Sequence, residues 1–278
     1  MKNLYDQVCR ECSRLTTVRY STSFSLGIYL LDSSIREPIY SIYGLVRFAD
    51  EIVDTFHDFE KESLLARFKK DCYQSIEEGI SLNPILHSFQ EVVNTYNVPH
   101  ELIESFFQSM EMDLDQKEHD AASIDTYILG SAEVVGLMCL CVFLNGDMDE
   151  YNRLKFAAQR LGAAFQKVNF LRDLKHDYES LGRTYFPQVN EGEWNEATKL
   201  EIEKDIKLDF DEALKGIKQL PRSSRLGVYL AYKYYETLFR KIQHKSASSV
   251  MKSRIRISNG RKFGIMFRSF TAFKLQMI

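Results

Sequence analysis

The sequence has few of the residues that interrupt or cross-link a chain: five prolines, 13 glycines and five cysteines among 278 residues. Because Pro and Gly break helices, their scarcity favours long uninterrupted helices. The odd number of cysteines argues against a disulfide framework, and Asp6 precedes any apolar stretch that could serve as a secretion signal, so we expect a cytoplasmic protein. The uncharged run from Val134 to Gly146 is shorter than the roughly 20 residues of a membrane-spanning helix, so we expect no transmembrane segment.

Neither sign of charge dominates: 36 Lys and Arg stand against 39 Asp and Glu, and the net charge is −3. Such a balance supplies no global field for nucleic acid, so we expect no nucleic-acid partner. The sequence also lacks a Walker motif, a dinucleotide glycine fingerprint, a G-x-S-x-G elbow and an H-E-x-x-H zinc motif. These absences disfavour nucleotide-binding proteins and the common hydrolases.

Apolar residues recur at spacings of three and four, the period of amphipathic helices, through most of the chain. The segments with this period are Ile39 to Phe59, Leu102 to Glu118, Asp147 to Asp177, Glu193 to Gln219 and Arg225 to Gln243. Extended alternation is scarce, with residues 255–258 as its best candidate, and each proline stands near the start or the outside of a periodic segment. The pattern predicts an all-α fold. With no linker or repeat, residues 1–278 are expected to form a single domain.

A polar stripe interrupts the otherwise apolar segment around residues 42–54. Its members are spaced by four, three and four residues and therefore share one helix face: Tyr43, Arg47, Asp50 and Asp54. Apolar neighbours such as Leu45 and Ile52 suit the segment to burial. Burying ionised carboxylates costs several kcal/mol unless a cation compensates, so the stripe predicts either a bound cation or a solvated helix face.

A second stripe of the same character lies further along the chain. Its members are Gln166, Asn169, Asp173 and Asp177. The carboxylates and the amide of the two stripes are the oxygen ligands that Mg²⁺ prefers, and Mg²⁺ commonly shares its coordination shell with phosphate oxygens. Arg47, Arg172 and Arg183 add guanidinium groups able to grip phosphate oxygens in pairs. The pattern alone leaves two interpretations open, a metal and diphosphate site or two solvated helix faces.

Four motifs spread over most of the chain carry a family resemblance: STSFSLGIYLL, YSIYGLVRFADEIVD, GSAEVVGLM and QKVNFLRDLKHDYESLGRTYFP. With them the sequence resembles the phytoene/squalene synthase family of head-to-head trans-isoprenyl diphosphate synthases, and its bacterial phytoene synthases in particular. The fourth motif is the most specific, since N-x-x-R-D-x-x-x-D followed by G-R-x-Y-x-P is rarely met elsewhere. The resemblance implies an isoprenoid-synthase-type helical bundle around a central cavity, with two aspartate-rich helices facing each other.

The resemblance also implies roles for individual residues. Ligands for Mg²⁺, or for Mn²⁺ in its place, are implied at Asp50, Asp54, Asn169, Asp173 and Asp177. Contacts to diphosphate or to the prenyl chains are implied at Ser21, Ser23, Phe24, Tyr43, Arg47, Gln166, Arg172, Arg183 and Tyr185. The implied catalytic group is Tyr43, Arg47, Asp50, Asp54, Asp173 and Asp177.

Two residues depart from the family pattern. Glu51 follows Asp50 where many members have a second Asp, and helix geometry is expected to turn it away from the polar stripe. Glu133 stands where other members often have a small residue. We expect Glu133 to bear on the shape of the cavity and therefore on the length of the substrate.

The implied reaction joins two prenyl diphosphates head to head through a cyclopropylcarbinyl diphosphate. We expect two geranylgeranyl diphosphates to give phytoene. The alternative within the same class is two C15 units giving squalene or dehydrosqualene, and NADPH is expected only if the product is squalene. The alternative from another class is a catalytically inactive member that serves as an assembly scaffold, against which the two intact acidic stripes argue.

Basic residues dominate residues 245–278, which contain no Asp or Glu. Phe and Ile are interleaved with these cations, an arrangement that suits an anionic membrane surface. A last helix packed with its charges in solvent is the alternative. We therefore expect a basic helical tail over about residues 245–278, with peripheral membrane contact as one role. The sequence assigns no oligomeric state.

Overall fold

The structure, a computed structural model, describes residues 1–115, 120–177, 185–190, 192 and 194–275. In chain order its helices are α1 (Lys2–Tyr20), α2 (Thr22–Tyr29), α3 (Ser33–Thr55), α4 (Lys61–Glu78), α5 (Pro84–Tyr96), α6 (His100–Asp115), α7 (Ala121–Ile128), α8 (Val134–Phe143), α9 (Met148–His176), α10 (Pro187–Asn190), α11 (Glu196–Ile217), α12 (Arg222–Gln243), α13 (Ala247–Val250) and α14 (Asn259–Lys274). A π-helical turn, Leu129–Glu133, joins α7 to α8. The all-α prediction is confirmed, since these residues contain no strand.

Side-chain caps begin several helices at the point where backbone N–H groups have no helical partner. Asn83 caps α5, and Pro84 follows it at the first helical position, where a missing N–H costs nothing. Asp147 caps the long helix α9, and Asn195 begins α11 with a capping box. These local signals determine where the three helices begin, and α9 among them carries the second polar stripe.

One proline departs from the expectation that prolines stand outside helices or at their starts. Pro38 lies inside α3, because this helix begins at Ser33, earlier than the periodic segment suggested. Asp32 caps it by accepting the N–H of Ser34 at 3.0 Å. Proline has no N–H, so the carbonyl of Ser34 loses its partner four residues on. The packing of α3 against α1 and α5 offsets this local cost.

Two apolar cores meet along a central cavity. The first core joins α3, α4, α5, α6 and α8, and the second joins α9, α11 and α12. α8 is apolar on every face because it packs against α6 and α9 and also lines the cavity. α2 and α12 form another wall, where a Cβ atom on Gly227 would lie 2.6 Å from the carbonyl oxygen of Gly27. Glycine is required there for the two helices to approach.

The segment Ser123–Phe143 is long and apolar enough, by length and composition, to span a membrane. More than half of its most apolar stretch is buried inside the protein, as in the core helices of many folds. It begins before the uncharged run of the sequence and includes two charged residues, Asp125 and Glu133, and the charge of Glu133 is paired with Arg160. The expectation of one domain over residues 1–278 stays a prediction.

The basic segment folds back onto the second core. Trp194 donates its indole N–H to the carbonyl oxygen of Ala247 at 3.0 Å, and Glu196 accepts the N–H of the same residue at 2.8 Å. Residues 254–258, which include the candidate for extended structure, form no regular element. α14 then packs against α12, so α13 and α14 supply the helical structure expected in this segment.

Candidate functional site

α3 brings the first polar stripe to the wall of the central cavity through Tyr43 and Asp50, whereas Arg47 and Asp54 are not among the residues that line it. Asp50 lines this cavity, and 34% of its side chain is accessible there although protein surrounds it. Burial, followed by the neighbouring Asp54 carboxylate, raises the pKa of Asp50 to about 7. Such a carboxyl group is stabilised by any cation that replaces its proton.

Arg47 belongs to the same stripe and is held by two acidic residues. It pairs with Glu51, and its Nη1 atom lies 3.8 Å from Oδ2 of Asp50. Its guanidinium group also covers the ring of Tyr20 at 4.3 Å. Glu51 lines a separate recess between α3 and α4, which is the direction that helix geometry predicts. Arg47 is therefore anchored between this recess and the cavity.

α9 brings the second stripe to the same cavity through Gln166 and Asn169, both of which line it. Nε2 of Gln166 donates to Oγ of Ser131 in the π-helical turn at 3.2 Å. The buried side-chain oxygen of Asn169 accepts no hydrogen bond within the described part of the chain, a condition that costs about 1–3 kcal/mol when nothing binds it. An amide oxygen of this kind beside carboxylates is a ligand atom for a hard cation.

Two arginines hold Asp173, the next member of the second stripe. Nε of Arg172 lies 3.1 Å from both carboxylate oxygens, and Nε of Arg254 lies 2.6 Å from Oδ1. Sequence reasoning placed Arg254 in the basic tail alone. No local spacing marks its contact with Asp173, because the two residues are 81 positions apart. Asp177 ends α9 as its C-cap.

The first turn of α2 contains the predicted residues Ser21, Ser23 and Phe24. Oγ of Ser21 caps the helix by accepting the N–H of Phe24 at 3.2 Å. Phe24 lines the cavity, with its ring centroid 5.7 Å from that of Tyr43. Burial, followed by the charge of Asp50, raises the pKa of Tyr43 to about 12. The phenol therefore stays protonated and remains a hydrogen-bond donor.

The cavity wall is mostly apolar and encloses roughly 1590 Å³, including the space at its opening. Aromatic rings gather beside Asn169: Phe165 stacks on Tyr235 at 4.0 Å between centroids, and Phe24 lies 6.3 Å from Tyr235. Sequence reasoning singled out Phe24 and Tyr43 and missed Phe165 and Tyr235, because aromatic residues in an amphipathic helix look like any other core residues. The rings therefore share one cavity with Asp50, Gln166 and Asn169.

Two predicted contacts come from the stretch that follows α9. Arg183 lies outside the described residues. Tyr185 is buried, and its ring stacks on Phe170 at 4.1 Å and on Tyr127 at 5.2 Å. Tyr127 lines the cavity and donates a hydrogen bond to Asp113 at 2.8 Å. Tyr185 thus supports a cavity residue, and its direct contact with a substrate stays a prediction.

Glu133 faces away from the cavity while its neighbours Ser131 and Ala132 line it. Its carboxylate is buried and pairs with Arg160. Arg160 in turn lies 3.1 Å from Asp209 of α11. This network ties the π-helical turn, α9 and α11 together, so Glu133 acts on the cavity wall through packing.

A second group of potential metal ligands lies between α1 and α5: ligand atoms of Asp6, His87 and Glu91 lie within 4.8 Å of one another. The ring of His87 is already satisfied, since Nδ1 accepts the N–H of Ser81 at 3.3 Å and Nε2 donates to Asp6 at 2.9 Å. Lys2 neutralises Asp6 at 3.0 Å. In this tautomer neither ring nitrogen offers a lone pair to a metal, so the group fastens α1 to α5.

Comparison with known proteins gives consistent matches. Residues 17–190 match the family model described as squalene/phytoene synthase. The 4,4'-diapophytoene synthase of Staphylococcus haemolyticus is 26% identical over 265 residues, which cover 88% of this chain and 90% of that protein. The 15-cis-phytoene synthase of a Synechocystis species is 26% identical over 267 residues, covering 83% and 74%.

Solved structures share the architecture. A dehydrosqualene synthase in complex with a ligand superposes with a TM-score of 0.79 over 98% of both chains, at 19% identity. A squalene synthase from Alicyclobacillus acidocaldarius superposes with a TM-score of 0.76 over 86% of this chain and 95% of that one, also at 19% identity. At this identity the likeness establishes the fold, and the predicted isoprenoid-synthase-type bundle is confirmed.

Proposed function

The chain belongs to the squalene/phytoene synthase family, and from this we propose that it joins two identical prenyl diphosphates head to head. Members of the family are prenyltransferases, and this protein is one of them. The observation that carries the proposal is the cavity, an apolar hollow to which α3 contributes Asp50 and α9 contributes Asn169. A hollow with this polarity accepts a molecule with a charged head and a long hydrocarbon chain.

The family binds prenyl diphosphates through a divalent metal, and we take Mg²⁺, or Mn²⁺ in its place, as the ion. The ligands that we assign are Asp50, Asp54, Asn169, Asp173 and Asp177. The raised pKa of Asp50 and the unpaired buried oxygen of Asn169 support the assignment, because both groups are stabilised by an added cation. A divalent ion held by these residues would neutralise the diphosphate and assist its departure.

The cations of the chain itself then hold the departing diphosphate. Arg172 and Arg254 converge on Asp173. If Asp173 served as a metal ligand, both guanidinium groups would be available to grip phosphate oxygens in pairs. Further diphosphate contacts are proposed for Ser21, Ser23, Arg47, Gln166, Arg183 and Tyr185.

Departure of the diphosphate leaves an allylic cation, which water would destroy. The apolar wall keeps water out, and the ring faces of Phe24, Phe165 and Tyr235 stabilise the positive charge by about 1–2 kcal/mol each. The double bond of the second substrate attacks the cation, and loss of a proton from the resulting cation closes the ring of the cyclopropylcarbinyl diphosphate. This intermediate ionises in turn, releasing the second diphosphate, and rearranges. We assign to Tyr43, whose raised pKa keeps it protonated, a hydrogen bond to the anion.

For the chain length we propose two C20 units, with geranylgeranyl diphosphate as substrate and phytoene as product. The relative named 15-cis-phytoene synthase supports this choice. The relative named 4,4'-diapophytoene synthase and the dehydrosqualene synthase structure favour a second candidate, two C15 units giving dehydrosqualene, or squalene with NADPH. The two candidates share every residue assigned above. They differ in the length of the hydrocarbon chain and, where the product is squalene, in the reduction by NADPH.

The test is to incubate the purified protein with Mg²⁺ and a labelled C15 or C20 prenyl diphosphate, with and without NADPH. Release of pyrophosphate and formation of phytoene from the C20 substrate are expected. Dehydrosqualene or squalene from the C15 substrate, with the C20 substrate inert, would replace the first candidate by the second. Failure to release pyrophosphate from either substrate would refute head-to-head condensation.

A further inference from the structure

α14 has two unlike faces, and one of them rests on α12. On this covered face Ser269 is buried. Nζ of Lys262 lies 5.4 Å from the ring centroid of Tyr234, and the guanidinium carbon of Arg222 lies 5.6 Å from that of Phe273. These contacts fix the rotation of α14 about its own axis, and so determine which of its side chains point away from the protein.

The opposite face of α14 presents an aromatic stripe, which we define as Phe263, Phe267 and Phe270. The spacing of four and three residues places the three rings in one row. They are 57%, 72% and 43% exposed. Leu275, just beyond the helix, is also exposed. Isolated exposed apolar residues are ordinary, but three large rings in one row are a contiguous patch that marks an interaction surface.

Positive charge surrounds the aromatic stripe. Arg261, Arg268 and Lys274 are exposed on α14, and Lys252 and Arg256 are exposed just before it. Residues 245–278 hold eight of the 36 Lys and Arg and none of the 39 Asp and Glu, so residues 1–244 carry a net charge of −11. The molecule is therefore strongly polarised, with an acidic body and a basic end, a pattern typical of proteins that bind an anionic surface.

We propose that α14 docks the protein on the anionic surface of a lipid bilayer, with the aromatic stripe inserted among the lipids and the flanking cations on the headgroups. Helices that lie in a membrane interface combine an apolar row with basic flanks in this way. A second copy of the chain fits less well, because a symmetric contact through α14 would bring the same cations face to face. The acidic body directs the basic end toward the membrane.

α12 connects this docking surface to the cavity. One side of α12 carries α14, and the other contributes Val228, Ala231 and Tyr235 to the cavity wall. A docked α14 therefore holds the helix that lines the cavity next to the lipid. Arg254 is set apart from the docking surface because it contacts Asp173, and it is left unchanged in the test. The proposal rests on the surface of α14 and not on the reaction proposed above.

The test measures sedimentation of the purified full-length chain with vesicles of phosphatidylglycerol and phosphatidylcholine, and with vesicles of phosphatidylcholine alone. We expect binding to the anionic vesicles only, and its loss at high salt. The triple change Phe263→Ser, Phe267→Ser and Phe270→Ser should weaken binding about tenfold or more. The pair Arg261→Glu and Arg268→Glu should do the same, and it keeps the proposal testable if the triple change alters α14.

Matched controls lie on α11, where Leu208 and Lys204 are also exposed. Leu208→Ser and Lys204→Glu should leave vesicle binding unchanged. Equal binding to neutral vesicles, or unchanged binding by both α14 variants, would overturn the proposal. Binding of single-stranded RNA without binding of vesicles would also overturn it. So would a dimer, detected by light scattering, that the triple change dissociates, if the wild type does not bind vesicles.

Discussion

Replacing Asp50 with Asn should stabilise the metal-free protein while abolishing its activity. The pKa of Asp50 is raised from 3.8 to about 7 by burial and then by Asp54. A shift of this size corresponds to about 4 kcal/mol between its two protonation states. Because 34% of the side chain is accessible through the cavity, solvent screening reduces the expected effect to about 1–2 kcal/mol.

The sign of the pH dependence follows from linkage. The folded-state pKa of Asp50 lies above its unfolded value, so between pH 3.8 and about 7 the native state holds a proton that the unfolded state has lost. The contribution of this group to stability is therefore largest at low pH and is lost as the pH rises through that window. Asn does not titrate, so the advantage of Asp50→Asn should grow from pH 5 to pH 8.

The assay is reversible unfolding by urea, with thermal melting as a second probe, in the presence of a chelator. At pH 8 the variant should gain about 1–2 kcal/mol, or about 2–5 °C in midpoint. Adding Mg²⁺ with pyrophosphate should raise the midpoint of the wild type and much less that of the variant. Asp58→Asn, at an exposed position outside the helices, is the matched control and should change nothing. A variant that is no more stable than the wild type at pH 8 would show that Asp50 is solvated like a surface carboxylate.

Three further predictions follow from side-chain contacts described above. Arg254→Ala should lower the rate of pyrophosphate release by at least about tenfold with the melting midpoint unchanged, because it removes a guanidinium group from Asp173. The control Arg256→Ala, at an exposed neighbouring position, should leave the rate unchanged. Equal rates in the two variants would remove Arg254 from the site. Glu133→Gln should lower the free energy of unfolding in urea by about 2 kcal/mol. The change removes one ion pair of Arg160, and the loss is limited because Arg160 keeps its contact with Asp209. A gain in stability would mean that this network does not hold the π-helical turn, α9 and α11 together. His87→Leu should lower the free energy of unfolding in the same urea assay by about 1–3 kcal/mol, because it removes the hydrogen bonds that the buried ring makes with Ser81 and Asp6. Added zinc should not stabilise the wild type, and a zinc-dependent rise in its midpoint would restore the metal-site interpretation.

Local spacing was sufficient to predict much of the candidate site. Asp50 and Asn169 were identified because residues three and four apart must share a helix face, and both do line one cavity. The all-α fold follows from the same periodicity. The starts of α5, α9 and α11 coincide with capping residues that can be recognised by eye. In each case the information lies within one or two helical turns.

Contacts between distant segments could not be predicted in this way. Arg254 reaches Asp173 across 81 positions, and Tyr235 reaches Phe165 from another helix, so no spacing within one element records either pair. Pro38 was expected near the start or the outside of a helix because propensity disfavours proline in a helix interior, yet the burial of α3 outweighs that preference. The side on which Glu133 lies depends on the π-helical turn, which has no sequence signature.

The protein contains a single tryptophan, and it stands at the seam where the carboxy-terminal stretch meets the body. Since the indole N–H of Trp194 is hydrogen-bonded to the first residue of α13, its fluorescence reports, without a label, whether the carboxy-terminal stretch stays packed against the body. Detachment would expose the ring to water and shift its emission to longer wavelength, and no second tryptophan would mask the signal. Titrating lipid, metal or substrate analogue while recording one emission spectrum therefore reports on the attachment of α13 without any engineered dye.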